Sequence, residues 1–310
     1  MRYINILFTK ARVLTIKDNR LQIIDSEGQL KHYPLEDINS LVLEHRQMSL
    51  SARVLSECAA HGIALFVCDD KFTPNGVLTP FNSHFQKPKI MQLQLSTPKP
   101  LQKRVWQALI RQKIKNHASV LDLYFKDGAS ELKDLAKEVH SGDTGNVEAI
   151  AARKYFISLF GKGFTRESEI FANACLNYVY AVLRGTIARA LVVYGFEPSL
   201  GLNHASSLNA FNLADDLIEP FRPIGDLLAY SLIEKEPPSF LDENGFALLQ
   251  TEHKKELLKI FQTGCSVHGQ VCSINYAIEK LVQSLKQTMQ EQEVLLDLPQ
   301  IIPLRQVRYE

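Results

Sequence analysis

Lys99-Pro100-Leu101-Gln102-Lys103-Arg104-Val105-Trp106-Gln107-Ala108-Leu109-Ile110-Arg111-Gln112-Lys113-Ile114-Lys115 is the stretch that decides the fold. Leu101, Val105, Leu109 and Ile110 recur at helical spacing, while Lys103, Arg104, Arg111, Lys113 and Lys115 stand between and beyond them. That period predicts a long basic helix running on toward Phe125. Upstream the period is that of strands; downstream it stays helical, with patterns near 130–140, 145–160, 168–194, 208–233, 239–262 and 267–290. The expectation is an α+β chain of more than one domain: a small β-rich, sandwich-like N-terminal domain over 1–84, a larger all-α domain over 85–290, and an exposed tail over 291–310 whose Pro299 and Pro303 break any period.

The strands of the first part are short and punctuated. Ile4–Phe8, Arg12–Ile16, Leu21–Asp25, Leu30–Pro34 and Ile38–Glu44 are β-rich runs, with Lys17-Asp18-Asn19 a turn between two of them. Leu50, Val54, Leu55, Cys58 and Ala59 interrupt with a helix that Gly62 ends; Ile63–Cys68 and Gly76–Phe81 then return to strand.

The 310 residues, 45% apolar and 22% charged, exclude wholesale disorder, and a net charge of +1 excludes a uniformly basic coat for nucleic acid. The charge is unevenly spread, however: net +8 over 81–126 and net −6 over 201–310. A neutral chain of this kind can still bind a polyanion locally. Five cysteines without a CxxC pair fit a reducing cytoplasm, and Cys265 and Cys272 stand seven residues apart, the spacing of one face of a helix. No run of 18 apolar residues suggests a membrane span, and the N-terminus is too short and polar for a signal peptide.

Chemistry concentrates between residues 145 and 226. Glu148 opens a helix of small and apolar residues, His204 sits in the glycine-flanked loop Gly201-Leu202-Asn203-His204, and Asp215, Asp216 and Glu219 fall on one helical face among Leu213, Leu217, Ile218 and Phe221. Each has an ordinary reading: a helix-dipole acid, a structural histidine, a solvated acidic face. Carboxylates stacked on a half-buried turn repel unless something positive arrives, either a divalent cation or Arg222. Pro220 and Pro223 each cost about 3 kcal/mol in a regular helix interior, so a kink or a helix start is expected between them. One imidazole with two or more carboxylates suits magnesium or manganese better than zinc, and such an ion beside a basic segment suggests phosphoryl-transfer chemistry.

Four motifs in order carry a resemblance to a known family: Gly145–Phe156 around Glu148; Asn173-Ala174-Cys175-Leu176-Asn177-Tyr178 with Tyr180; Gly195-Phe196-Glu197-Pro198-Ser199-Leu200-Gly201-Leu202-Asn203-His204; and Asp215-Asp216-Leu217-Ile218-Glu219-Pro220-Phe221-Arg222-Pro223. Together they resemble the CRISPR-associated integrase and endonuclease of the adaptation module, and the β-then-α layout is similar to that family over nearly the whole chain. The resemblance implies that Glu148, His204 and Glu219 are catalytic and hold Mg2+ or Mn2+, with Asp216 as a backing or alternate ligand. It implies insertion of short DNA fragments into the CRISPR array by transesterification, a 3′-hydroxyl attacking the leader–repeat phosphodiester. It also implies a homodimer built through the β-rich domain, and a heterohexamer with the small second protein of the module. Glu rather than Asp at 219 resembles members from type II systems, whose effector nuclease is then a further partner. Two departures, Asn203 where many members carry a second His and Gly225 where many carry an apolar residue, leave these ligands intact.

Phosphate contacts are expected from Lys103, Arg104 and Arg111 on the basic helix and from Arg153, Lys154, Arg184 and Arg222 nearer the motifs. The competing readings are a DNA-binding or assembly protein whose metal site is structural or inactive, and an unrelated metal-dependent nuclease.

Overall fold

The computed structural model describes residues 4–25, 27–70, 72–80, 86–168, 170–235 and 249–306. The expected boundary at residue 84, the end of the strand expected at Gly76–Phe81 and the first ten residues of the helix expected over 239–262 lie outside the described residues. The N-terminal part follows the strand pattern closely. It comprises β1 (Ile4–Phe8), β2 (Val13–Lys17), β3 (Arg20–Ile24), β4 (Leu30–Pro34), β5 (Ile38–Leu43), β6 (Ser49–Leu50), α1 (Ala52–Ala60), β7 (Ala64–Cys68) and β8 (Pro74–Val77). They form two four-stranded sheets, ordered β4-β3-β2-β6 and β1-β5-β7-β8. In the second sheet β1, β5 and β7 run parallel, and all six residues of β5 are buried, as expected of a parallel strand covered on both faces. Its alternating side chains serve two cores. Leu41, Leu43 and Leu65 point into the β-rich part, whereas Val42, Ala64 and Phe66 join the core of the helical part.

The helical part comprises α2 (Lys87–Ser96), α3 (Lys99–Leu123), α4 (Ala129–Glu138), α5 (Val147–Phe160), α6 (Phe171–Val193), α7 (Asn212–Leu217), α8 (Arg222–Lys235), α9 (Thr251–Leu258) and α10 (Ile274–Glu291). The long basic helix is α3, and its stripe Leu101, Val105, Leu109 and Ile110 is buried as its spacing predicts. α6 is apolar enough to be weighed as a membrane span, but 72% of its apolar window is buried inside the protein, which makes it a core helix. Gly185 on α6 permits close approach to the parallel sheet, since a Cβ there would fall 2.2 Å from Phe66 Cε1. A buried ion pair, Lys254 Nζ to Glu44 Oε2 at 2.9 Å, ties α9 to the end of β5.

The break expected at Pro220 and Pro223 is present: a 3-10 turn at Glu219–Phe221, where Pro220 lacks an N–H to continue the ladder, divides the helical pattern over 208–233, and α8 starts between the two prolines. Two other expectations need correction. The helix expected over 267–290 starts only at Ile274. Before it stand β9 (Thr263–Val267) and β10 (Gln270–Ser273), joined by His268 and Gly269, both at positive φ as a tight hairpin turn requires. Cys265 and Cys272 therefore face each other across a hairpin, Sγ to Sγ 3.9 Å, not along a helix. The stretch expected as an exposed tail contains β11 (Gln300–Gln306), which completes a three-stranded sheet ordered β10-β9-β11, so the second part is mostly rather than wholly helical. Asn116 on α3 secures that strand: its amide donates to Pro299 O at 2.9 Å and its Oδ1 accepts from Ile301 N at 3.3 Å.

Candidate metal centre

Glu148, His204 and Glu219 arrive on three separate segments and line one cavity of about 270 Å³ with Trp106, Gly142, Asp143, Asn146 and Asn203. Each is fixed by a different local device. Glu148 lies in the first turn of α5, entered through Asn146 at φ 50. The Asp143 carboxylate caps that end, accepting from Val147 N at 2.9 Å and Glu148 N at 3.0 Å, two of the helix's unpaired donors.

His204 is held through Asp216. That carboxylate is fully buried; Oδ2 accepts from Leu202 N (2.5 Å) and Asn203 N (3.2 Å), and Oδ1 from His204 N (3.0 Å) and His204 Nδ1 (2.8 Å). The hydrogen bond that the imidazole donates to Asp216 pushes its pKa up despite its partial burial. Only glycine fits at 201, because a Cβ would fall 2.2 Å from His204 O and 3.0 Å from Asp216 Oδ2. Trp106 closes the other side, edge-on to the imidazole at 5.6 Å. Asp216 thus orients the histidine with both oxygens engaged, and it is not placed to bind an ion directly.

Glu219 sits on the 3-10 turn, 7% exposed, with Arg222 Nε 3.0 Å from Oε1 and Lys113 Nζ 2.5 Å from Oε2. Asn116 Nδ2 holds the same turn through Pro220 O at 2.8 Å. Burial alone would raise the Glu219 pKa; Lys113 and Arg222 overcome it and bring the carboxyl down to about 2. Lys113 also donates to Glu148 Oε1 at 2.5 Å. Burial pulls its ammonium toward neutrality, but the two carboxylates outweigh that, so the pKa stays above its ordinary value.

Lys113 and Asp143 are the functional neighbours that sequence reasoning missed. A signal for Lys113 exists: it continues the buried series Leu101, Val105, Leu109 at the next step of four, so it belongs to the inner stripe and not to the solvated flank.

The donor set fits a hard divalent cation. Two carboxylates and an imidazole line one cavity, the inner oxygen of Glu219 has only the Lys113 ammonium beside it, and His204 Nδ1 is committed to Asp216, which leaves Nε2 as the ligating nitrogen. Among the described residues no three His, Cys, Asp or Glu side chains are gathered closely enough to bind one ion as they stand. Both glutamates are turned onto Lys113 and the imidazole onto Asp216.

The expected phosphate contacts divide. Lys103 is exposed and packs along Gly142 at the edge of the cavity, and Arg153 is exposed on α5. Arg222 is committed to Glu219 and lies over the Tyr180 ring. Arg184 pairs with Asp215 at 2.6 and 2.9 Å, Lys154 with Glu131 at 2.7 Å, and Arg111 caps the end of α4 through Val139 O at 3.1 Å. Arg104 is exposed, 3.5 Å from Gln292 O. Asp226 lies behind the site, fully buried, accepting from Tyr180 OH, and burial raises its carboxyl to about 6.

The fold and this cleft define a two-part α+β protein that gathers an imidazole and two carboxylates beside a basic helix. The family model for "CRISPR associated protein Cas1" matches residues 6–263, and the chain belongs to the Cas1 family. It is 41% identical to the "CRISPR-associated endonuclease Cas1" of Neisseria meningitidis serogroup C, over the whole length of both chains. Among solved structures it is similar to a "Casposase bound to integration product" (TM-score 0.78, 20% identity, 96% of this chain and 93% of that one). It is also similar to a chain of a "Cas6-RT-Cas1--Cas2 complex" (TM-score 0.73, 18% identity, 96% of this chain and 36% of that one). The expected family and the two-part α+β architecture are borne out.

Proposed function

We propose that the chain is a metal-dependent DNA integrase and endonuclease of CRISPR adaptation, joining the 3′-hydroxyl of a short DNA fragment to a phosphodiester at the leader–repeat border by transesterification. The observation that carries the reading is the convergence of Glu148, His204 and Glu219 on one cavity, in a chain 41% identical to a Cas1 endonuclease along its whole length. Glu148, Glu219 and His204 Nε2 hold the divalent ion, magnesium or manganese. That ion supplies charge stabilisation at the scissile phosphate and lowers the pKa of the attacking oxygen. Asp216 keeps the imidazole facing the cavity; Arg222 holds the Glu219 carboxylate ionised and in place. Lys103 at the edge and Arg153 on α5 offer exposed charge to the DNA backbone, contacts that carry no base sequence. The β-rich part serves dimerisation. The small Cas2 protein is the partner in a heterohexamer, a reading supported by the likeness to a Cas1 chain in a complex with Cas2. The type II effector nuclease is a further partner, and the place of action is the cytoplasm.

The test mixes the purified protein and its Cas2 partner with a short duplex bearing free 3′ ends and supercoiled DNA carrying a leader and repeat. Half-site products that need Mg2+ or Mn2+ and vanish in Glu148→Ala and His204→Ala are expected. Unchanged integration by either variant refutes the site. DNA binding without joining under any divalent ion favours an assembly role.

A further inference from the structure

Between two of the carboxylates that line the cleft stands a cation of the protein's own. Lys113 Nζ lies 2.5 Å from Glu148 Oε1 and 2.5 Å from Glu219 Oε2, and its side chain is only 9% exposed. The two oxygens are thereby held within bridging distance of one small positive charge, and the two glutamates that carry them line one cavity with His204. Lys113 reaches this position from the inner face of α3, with Ile110 and Ile114 buried beside it and Asn116 one turn on anchoring the Glu219 turn, so the ammonium is delivered by a rigid element. Arg222 takes only the far oxygen of Glu219. Without Lys113, Glu148 and the inner oxygen of Glu219 would face each other uncompensated in a half-buried cleft, an arrangement that repels and resists desolvation.

Resting on the reading of Glu148, His204 and Glu219 as metal ligands, we propose that Lys113 is a built-in counter-cation that holds the place of the divalent ion between Glu148 and Glu219, so that ion uptake must break both of its ion pairs. Lys113 then sets the affinity of the site. It stabilises the metal-free protein and competes with the metal, two effects of one charge that move in opposite directions when the charge is removed. A lysine that served only to contact DNA, or only to pack, would not couple them.

The experiment uses the full chain, stripped with EDTA and titrated with Mn2+, with the free aqua ion counted by electron paramagnetic resonance. Thermal unfolding is followed with and without the ion. Lys113→Met is expected to bind Mn2+ tighter than wild type by about tenfold or more, to melt lower than wild type without metal, and to gain more from Mn2+. Lys113→Arg, which keeps the charge, is expected to retain weak binding. Lys113→Gln carries the same test should the Met variant not fold. Binding by Lys113→Met that equals or falls below wild type, while Glu148→Gln abolishes it in both backgrounds, overturns the counter-cation and leaves the metal site standing. No Mn2+ uptake by wild type or Lys113→Met above that of the Glu148→Gln and His204→Ala variants overturns the metal reading, and the counter-cation with it.

Discussion

Asp216→Asn is the substitution whose consequences the structure specifies most fully. The carboxylate uses both oxygens, two N–H groups on Oδ2 and the His204 N–H and imidazole Nδ1 on Oδ1. An asparagine keeps one acceptor oxygen and turns an NH2 toward whichever pair it cannot serve. If the amide oxygen stays with Leu202 and Asn203, the NH2 meets the His204 N–H and forces the ring nitrogen to accept. Either way two charge-assisted bonds are lost, each worth roughly 1.5–3 kcal/mol, so the loop loses about 3–6 kcal/mol of local stability. The side chain is buried and near-isosteric, so the overall fold is retained while the segment around Gly201–His204 loosens. Amide hydrogen exchange of Leu202, Asn203 and His204 should accelerate more than a hundredfold, about the factor that 3 kcal/mol represents. The His204 pKa, followed by NMR of the ring protons, should fall, because Asp216 is what raises it. Integration should drop with it while duplex binding is retained. Unchanged exchange at these amides together with an unchanged His204 pKa would refute Asp216 as the residue that positions the histidine.

Gly185→Ala places a Cβ 2.2 Å from a Phe66 ring carbon and should destabilise the protein by about 1–3 kcal/mol or more, an effect that Phe66→Leu relieves in the double variant when melting is compared. Under EDTA, Glu219 (about 2 folded against 4.5) contributes stability that is present above pH 4.5 and lost as the pH falls through about 2. Asp226 (about 6 against 3.8) has the opposite sign: its contribution is present below pH 3.8 and lost as the pH rises through about 6, each effect being roughly 3 kcal/mol. Denaturant midpoints should therefore fall between pH 4 and 6 as the pH rises, and Asp226→Asn should flatten that limb; a limb unchanged in the variant refutes the assignment. Reversing Lys103 and Arg104 to Glu should weaken DNA binding and lower its salt slope by up to about 2; an unchanged slope returns both residues to the role of solvated charges.

The strands and helices that the amino-acid pattern revealed are those whose periodicity is local. β1 through β5, α1 and α3 through α6 lie within a few residues of their expected spans, because alternation and a 3.6-residue stripe are properties of the segment itself. The parallel pairing of β1, β5 and β7 was not legible, since it depends on partners more than twenty residues apart. β11 was hidden for the same reason, and because Pro299 and Pro303 imitate a tail; at the edge of a sheet a proline is tolerated, and the register indeed shifts between Ile301 and Gln306. The β9–β10 hairpin does carry a local sign, the turn-forming His268-Gly269 with Val267 and Val271 on either side, set directly against a helical stripe that begins at Ile274. At the site, the likeness of the motifs to a family picked out Glu148, His204 and Glu219. What it left out are Asp143, which caps, and Lys113, which neutralises, both selected by three-dimensional contact.

The net charge of +1 hides how the acids are used, and their contacts show how an acidic segment could still accept the polyanion that the proposed function requires. Asp215 is matched by the guanidinium of Arg184, Asp216 by three backbone N–H groups and an imidazole, and Glu219 by Lys113 and Arg222. Asp226 is buried behind them with a proton affinity high enough to be partly protonated below neutrality. Little of the −6 of residues 201–310 that comes from these four side chains is therefore presented to an approaching phosphate. A divalent ion entering a cleft whose two open carboxylates are already balanced by Lys113 and Arg222 leaves it with excess positive charge, next to the exposed Lys103. On the proposed function such a site would repel phosphate least when loaded, so metal uptake and DNA capture should favour each other through charge alone, with no need for a uniformly basic surface.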